Sequence, residues 1–254
     1  MSIFTYGSYE KLLDKMKMIN NIYSFEAITE SISSGIILRH DIDFDIKKAY
    51  ELSKLEEGKN VKSSYFVLTT SEIYNINSLK NRVMLRAMHN KGFEIGLHFD
   101  PLIYSSLEEE KLLIKVKNEC AIIEDIIGDR VCSISLHCPS ILNRYPKFVG
   151  YKNAYDIALF KDQFYISDSC KDFRGKDIFS FVEKGKNNLI QVLLHPIHFN
   201  TTETTYIDSF SNIFEKKIND LDYEMRINKK YNEEIGAGKL VYRFCEHFSQ
   251  REGL

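Results

Sequence analysis

The sequence predicts an α/β fold built on a parallel sheet, open or closed into an irregular (β/α) barrel, and three observations predict it. Six short apolar or β-branched runs alternate along most of the chain with stretches of helical periodicity. The runs divide into one apolar and one polar face. The ionisable residues gather at the C-terminal ends of the runs, the end at which parallel α/β folds carry their sites.

Taken in order, the N-terminal segment MSIFTYGSYEKLLDKMKMIN carries a Tyr/Leu/Met stripe at helical spacing. GIILRHDI (35–42) reads as the first strand, followed by a helix over 45–57 in which Ile46, Ala49, Tyr50 and Leu52 share a stripe and Gly58 lies just past the end. SSYFVLTT (63–70) is the second strand, 79–90 the next helix and FEIGLHF (93–99) the third strand. A helix over 107–127 is stopped by Gly128. VCSISLH (131–137), QFYISD (163–168) and NLIQVLLH (188–195) complete the strands, and one long amphipathic helix is expected over much of 205–234. Strands and helices in alternation imply right-handed βαβ units. With four prolines, 12 glycines and no low-complexity tract, one domain over 1–254 is expected.

Composition narrows the class of function. A hydrophobic content of 44% with 17 Phe and 15 Tyr excludes wholesale disorder. A net charge of -2 argues against a nucleic-acid backbone as partner. The five cysteines contain no C-x-x-C pair, which points to reduced thiols rather than a disulfide framework or a thiolate zinc cluster. No apolar run approaches the roughly 18 residues that cross a bilayer, and the N-terminus lacks an apolar leader core, so a cytoplasmic protein without membrane insertion is expected.

The faces are consistent from run to run. Ile36, Leu38 and Ile42 share one face with His40, while Ile37, Arg39, Asp41 and Asp43 share the other. Phe93, Ile95, Leu97 and Phe99 oppose Glu94, Gly96 and His98, and Ile134 and Leu136 oppose Ser133, Ser135 and His137. Polar groups on the second face are costly to bury without partners, and a barrel with a polar mouth accommodates them. Asp41, Asp43, His98, His137, Asp168 and His195 all fall at strand ends. Carboxylate oxygens with imidazole nitrogens suit a divalent ion such as zinc, with manganese, iron and cobalt as competitors. A metal with an open position for water, a nearby carboxylate base and a histidine acid together make metal-assisted hydrolysis.

At these residues the chain resembles the polysaccharide deacetylases, carbohydrate esterase family 4. GFEIGLHF (92–99) resembles the family's G-H-E-I-G-N-H stretch, and IILRHDID (36–43) its first aspartate motif in a divergent R-H-D-x-D form. SLHCPS (135–140) stands in the place of R-x-P-Y, YISDSCKDF (165–173) in that of D-S-x-D-W, and LLHP (193–196) in that of the final L-x-H. The resemblance implies an irregular barrel of about seven parallel strands and a metal-dependent N-deacetylase of an N-acetylated sugar, such as a nucleotide- or lipid-linked precursor of a surface polysaccharide. It makes Asp41 the base, His195 the general acid, Asp168 the group that orients His195, Asp43 and His98 metal ligands, and Pro139, Ser140 and Phe173 substrate-binding.

The departures are specific. The family's second metal histidine, four residues after the first, is Leu102 here, and the arginine of R-x-P-Y is His137. Three outcomes follow: His137 completes the metal site with Arg39 supplying the positive charge beside Asp41, Asp100 is the third ligand, or the metal is lost and a carbohydrate-binding protein remains. Plainer roles stand beside these: His40 as a buried histidine bonded to backbone, Asp41 and Asp43 as caps of the helix that follows, and Cys138 and Cys170 as site lining. Arg144, Arg174 and Lys171 read as a solvated loop, or as a clamp for an anionic substrate group.

Overall fold

Strand β2 (Gly35–Ile42) is buried along its whole length and forms the middle of a parallel sheet in the computed structural model, which describes residues 3–251. Its β-branched residues suit a strand covered on both faces. The other strands are β1 (Ile22–Tyr23), β3 (Ser64–Val67), β4 (Glu94–Phe99), β5 (Ser133–Leu136), β6 (Lys152–Asn153), β7 (Tyr165–Ser167) and β8 (Leu189–Leu194). Seven of them follow the order β6-β5-β4-β3-β2-β8-β7, and β1 pairs with the start of β2 beside the point where β3 begins. All these pairings are parallel, and the result is an open, curled half-barrel.

The described residues fall into two compact units that divide between Glu203 and Thr204, and the sheet lies in the first. In it, α1 (Tyr6–Ile19) is capped by Thr5, whose hydroxyl accepts the Ser8 N–H, and buries Tyr9, Leu12, Leu13 and Met16 at helical spacing. These side chains join Ile36 and Leu38 of β2 and Ile190 and Val192 of β8 in one core on the outer face of the sheet. A second outer core joins β3, β4 and β5 to α2 (Ile46–Gly58), α3 (Leu79–Asn90) and α4 (Glu109–Ile127), with Leu85, Met88, Leu112, Val116 and Ile123 at its centre. Gly128 ends α4 in the left-handed region, φ 76°, where a side chain is disfavoured. Asp45 caps α2 by accepting the Lys47 N–H, so the capping role falls to this residue and leaves Asp41 and Asp43 for the site.

The inner face is filled low down by Phe25, Ile37, Phe66 and Ala154. Above them the curl is drawn together by side chains. Gln191 Nε2 donates to the carbonyls of Ala154 (3.1 Å) and Leu159 (3.2 Å), and Arg39 donates to the Tyr155 hydroxyl at 3.1 Å. These bonds tie the chain after β6 to β8 and β2, where the described residues have no ladder between β6 and β7.

The second unit corrects one expectation. The single long helix over 205–234 is α7 (Tyr206–Met225), capped by a Thr205–Asp208 box, then a break, then α8 (Lys229–Ile235). Asn228 makes the break: its side chain accepts the Tyr231 N–H as a helix N-cap, the competing local bond that Asn favours. A further helix, α9 (Leu240–Arg251), was not expected from the sequence. No helix among the described residues is long and apolar enough to cross a membrane.

Gly96 is a tight point of the inner face. A Cβ there would stand 2.6 Å from the Phe66 ring and 3.0 Å from the Ser133 carbonyl oxygen. Gly96→Val is expected to destabilise the protein by about 1–3 kcal/mol through overpacking, measured as a lower urea midpoint with an unchanged slope; an unchanged midpoint would contradict this packing.

Candidate active site

The strand alternation of β2 delivers Arg39 and Asp41 into the half-barrel and His40 away from it. Arg39 is fully buried and donates from Nη1 to Gln191 Oε1 (3.0 Å) and from Nη2 to Asp41 Oδ2 and the Tyr155 hydroxyl (both 3.1 Å). Its guanidinium lies 4.9 Å from the Tyr155 ring centroid. Burial alone would lower its pKa, but Asp41 and the neighbouring tyrosines raise it, so the charge is fixed. Asp41 Oδ2 also accepts from Ser135 Oγ at 3.2 Å, while its buried Oδ1 has no hydrogen-bond partner. One oxygen is held and the other is left to take a proton.

His40 belongs to the helix side. Its Nε2 donates to Glu56 Oε1 at 2.7 Å and its ring stacks on Tyr65 at 4.5 Å. Fully buried Glu56 also accepts from Tyr9, from Ser63 (2.6 Å) and from Tyr65 (2.9 Å). The histidine is therefore a core residue bonded to a side chain, not to backbone as the sequence suggested, and it does not face the mouth.

Asp43, just past β2, faces three imidazoles. Its Oδ1 is 3.1 Å from His98 Nε2 on β4 and 3.6 Å from His137 Nδ1 after β5, and its Oδ2 is 3.7 Å from His195 Nε2 after β8. His137 Nδ1 and His98 Nε2 are 3.2 Å apart. Burial would raise the Asp43 carboxyl, but His137, His98 and His195 outweigh it and hold it well below the usual carboxylate range. Burial would lower His137, but Asp43 and then Cys138 lift it to about 10.

Asp168, fully buried at the end of β7, accepts the backbone N–H of His195 at 3.0 Å and the Nδ1–H of His195 at 2.6 Å. Its other oxygen accepts Nδ1–H of His198 at 2.9 Å. Burial opposes its ionisation, yet His195 and His198 hold it at about 2. His198, three residues beyond His195, is a buried partner of this carboxylate; the H-x-x-H spacing of the two histidines is its signal in the sequence.

Asp43, His98 and His137 fit a divalent ion. Three donor atoms of hard and borderline type converge on one point, and buried Asp43 Oδ1 has no hydrogen bond. The triangle edges of 3.1, 3.2 and 3.6 Å compare with an edge of about 3.3 Å for a tetrahedron with metal–ligand bonds of about 2.0–2.1 Å. His137 is thus the third group brought against Asp43 and His98. Asp100 instead accepts the Leu102 N–H at 2.8 Å, and Leu102 is exposed. Pro139 is buried at the start of the short helix α5 (Pro139–Leu142), with Ser140 exposed beside it. Phe173 stacks on Phe4 at 5.6 Å, and Phe4 packs edge-on against His198. Arg144 donates to the Leu107 carbonyl at 3.0 Å. Cys138 and Cys170 are exposed.

The fold is a parallel α/β half-barrel, and acidic and histidine side chains gather at the C-terminal ends of its strands. Among solved structures the chain is similar to the catalytic domain of a peptidoglycan N-acetylglucosamine deacetylase from Eubacterium rectale, at 16% identity over 75% of this chain and 88% of that one, TM-score 0.45. It is similar to a chitin deacetylase from Colletotrichum lindemuthianum, at 15% identity over 72% and 81%, TM-score 0.45. A third is a CE4 family pseudoenzyme from Bacillus anthracis, at 12% identity over 75% of this chain and 66% of that one, TM-score 0.43. No family model and no curated protein matches the chain. The likeness is one of chain course, and the functional reading rests on the site's own geometry.

The titration of His195 gives a stability test. Burial would lower it, but Asp168, then Asp43 and Asp41, raise it from 6.5 to about 9. A raised histidine stabilises the fold fully below its unfolded pKa and loses that contribution as pH rises through the folded one. In metal-free protein the denaturation midpoint is expected to fall between pH 6.5 and about 9, and to fall less in His195→Gln. A parent profile flat across that window would contradict the His195–Asp168 pairing.

Proposed function

We propose that this protein is a metal-dependent N-deacetylase acting on an N-acetylated sugar or glycan precursor. The observation that carries the reading is the donor triangle of Asp43, His98 and His137 beside an arginine-held carboxylate, with a carboxylate-held histidine on its other side.

A divalent cation, zinc first and manganese, iron or cobalt as competitors, would be held by Asp43, His98 and His137 and would supply a Lewis acid for an acetamide carbonyl and for water. Arg39 and Ser135 hold Asp41 by Oδ2, so that Oδ1 accepts the proton of the attacking water. The same guanidinium forms an ion pair with Asp41 at 3.1 Å above the half-barrel's apolar floor. Asp168 takes Nδ1–H of His195, which turns Nε2 toward the site to protonate the departing amine. An aromatic cluster of Tyr145, Tyr155, Phe160 and Tyr165 lies on the Arg39 side, suited to stacking on a sugar ring.

A second reading, a metal-free carbohydrate-binding protein, draws on Leu102, apolar where the family resemblance asks for histidine. Metal content separates the two. Protein purified without chelators is expected to hold about one ion per chain, and Asp43→Ala, His98→Ala and His137→Ala little. Asp41→Asn is expected to keep the ion and lose about 10²–10⁴-fold in acetate release from N-acetylated sugars, the range of a general base. A folded parent that takes up none of zinc, manganese, iron or cobalt would leave only the binding reading.

A further inference from the structure

The imidazole that completes the donor triangle has a second nitrogen, and that nitrogen faces a thiol. His137 turns Nδ1 to the triangle, 3.2 Å from His98 Nε2 and 3.6 Å from Asp43 Oδ1, and its Nε2 lies 3.5 Å from Sγ of Cys138. Neighbours in an extended chain point their side chains apart. Here they meet because the backbone leaves β5 and enters a left-handed conformation at Cys138, φ 43° and ψ 44°, before the turn of Pro139–Leu142.

An imidazole gives a lone pair to a cation from one ring nitrogen only when its proton sits on the other, and the partner of that N–H fixes which tautomer is present. For His137 the lone pair must be on Nδ1, so Nε2–H must donate, and Cys138 Sγ is the acceptor within reach. We propose that Cys138 is a positioning residue of the metal site: its sulfur accepts Nε2–H of His137 and holds the tautomer that leaves Nδ1 for the cation. This rests on the metal reading above. The other histidine of the triangle has no such partner: its buried Nδ1 lies 3.8 Å from Asp41 Oδ2, beyond hydrogen-bond distance. The imidazole of His137, by contrast, meets an exposed thiol on its outer side.

The test is cobalt(II) binding to the full chain, by equilibrium dialysis and absorption, in the parent, Cys138→Ala and Cys138→Ser. Loss of an outer partner of a metal-bound histidine weakens affinity about 10–100-fold. Cys138→Ala is expected to show that loss, and Cys138→Ser, whose hydroxyl also accepts, to recover most of the parent affinity. The parent spectrum is expected to lack the near-ultraviolet thiolate-to-cobalt band. A Cys138→Ala variant that binds as tightly as the parent overturns this inference and leaves the metal site standing. A thiolate band in the parent, absent from both variants, also overturns it, because Cys138 would then be a ligand. A folded parent that binds no cobalt removes the metal reading and this inference together.

Discussion

The two-residue alternation of β2 is the constraint on which the first unit depends. On one side of the strand Ile36 and Leu38 enter a core with α1 and β8, and His40 enters the pocket of Glu56; on the other, Ile37, Arg39 and Asp41 enter the half-barrel. A shift of register by one residue would put a guanidinium and a carboxylate among helices and three aliphatic side chains into the mouth. The neighbours hold the register by pairing six residues of β2 with β8 and four with β3.

Burying so much charge is tolerable because each group has partners. Arg39 is shared among Asp41, Gln191 and Tyr155, and Glu56 among four donors. Removing one member of such a set leaves the others buried and unpaired, which costs more than the pair itself contributes. The two networks lie back to back across a single strand. Arg39 and His40 are consecutive residues with unrelated surroundings, and a histidine that looks catalytic by its neighbours in sequence is structural by its neighbours in space.

The parallel sheet, its six main strands and the helices α2, α3 and α4 were legible in the sequence because their periodicity is long enough to read. Strand and helix limits agree closely at 35–42 and 79–90. The two-residue strands β1 and β6 have no period to detect, and β7 is three residues where six were expected. The strand-end chemistry was also legible as a set, but its internal pairing was not. Whether His137 or Asp100 meets Asp43 depends on how the loops after β4 and β5 turn, and Asp100 is engaged by Leu102 N–H at the start of its own turn. Glu56, the partner of His40, lies 16 residues on in α2, and nothing in the local sequence pairs the two. Such long-range polar matches leave no local pattern.

The closure of the half-barrel by Gln191, Arg39 and Tyr155 has a bearing on how such a mouth can diversify. A backbone ladder sets neighbouring chains at one spacing, about 4.8 Å, whatever the sequence. A seam made of side chains takes its width from the lengths of the residues that cross it. The width of the half-barrel at Arg39 is therefore encoded at a few single positions, and point substitution there can change it while every strand keeps its partner.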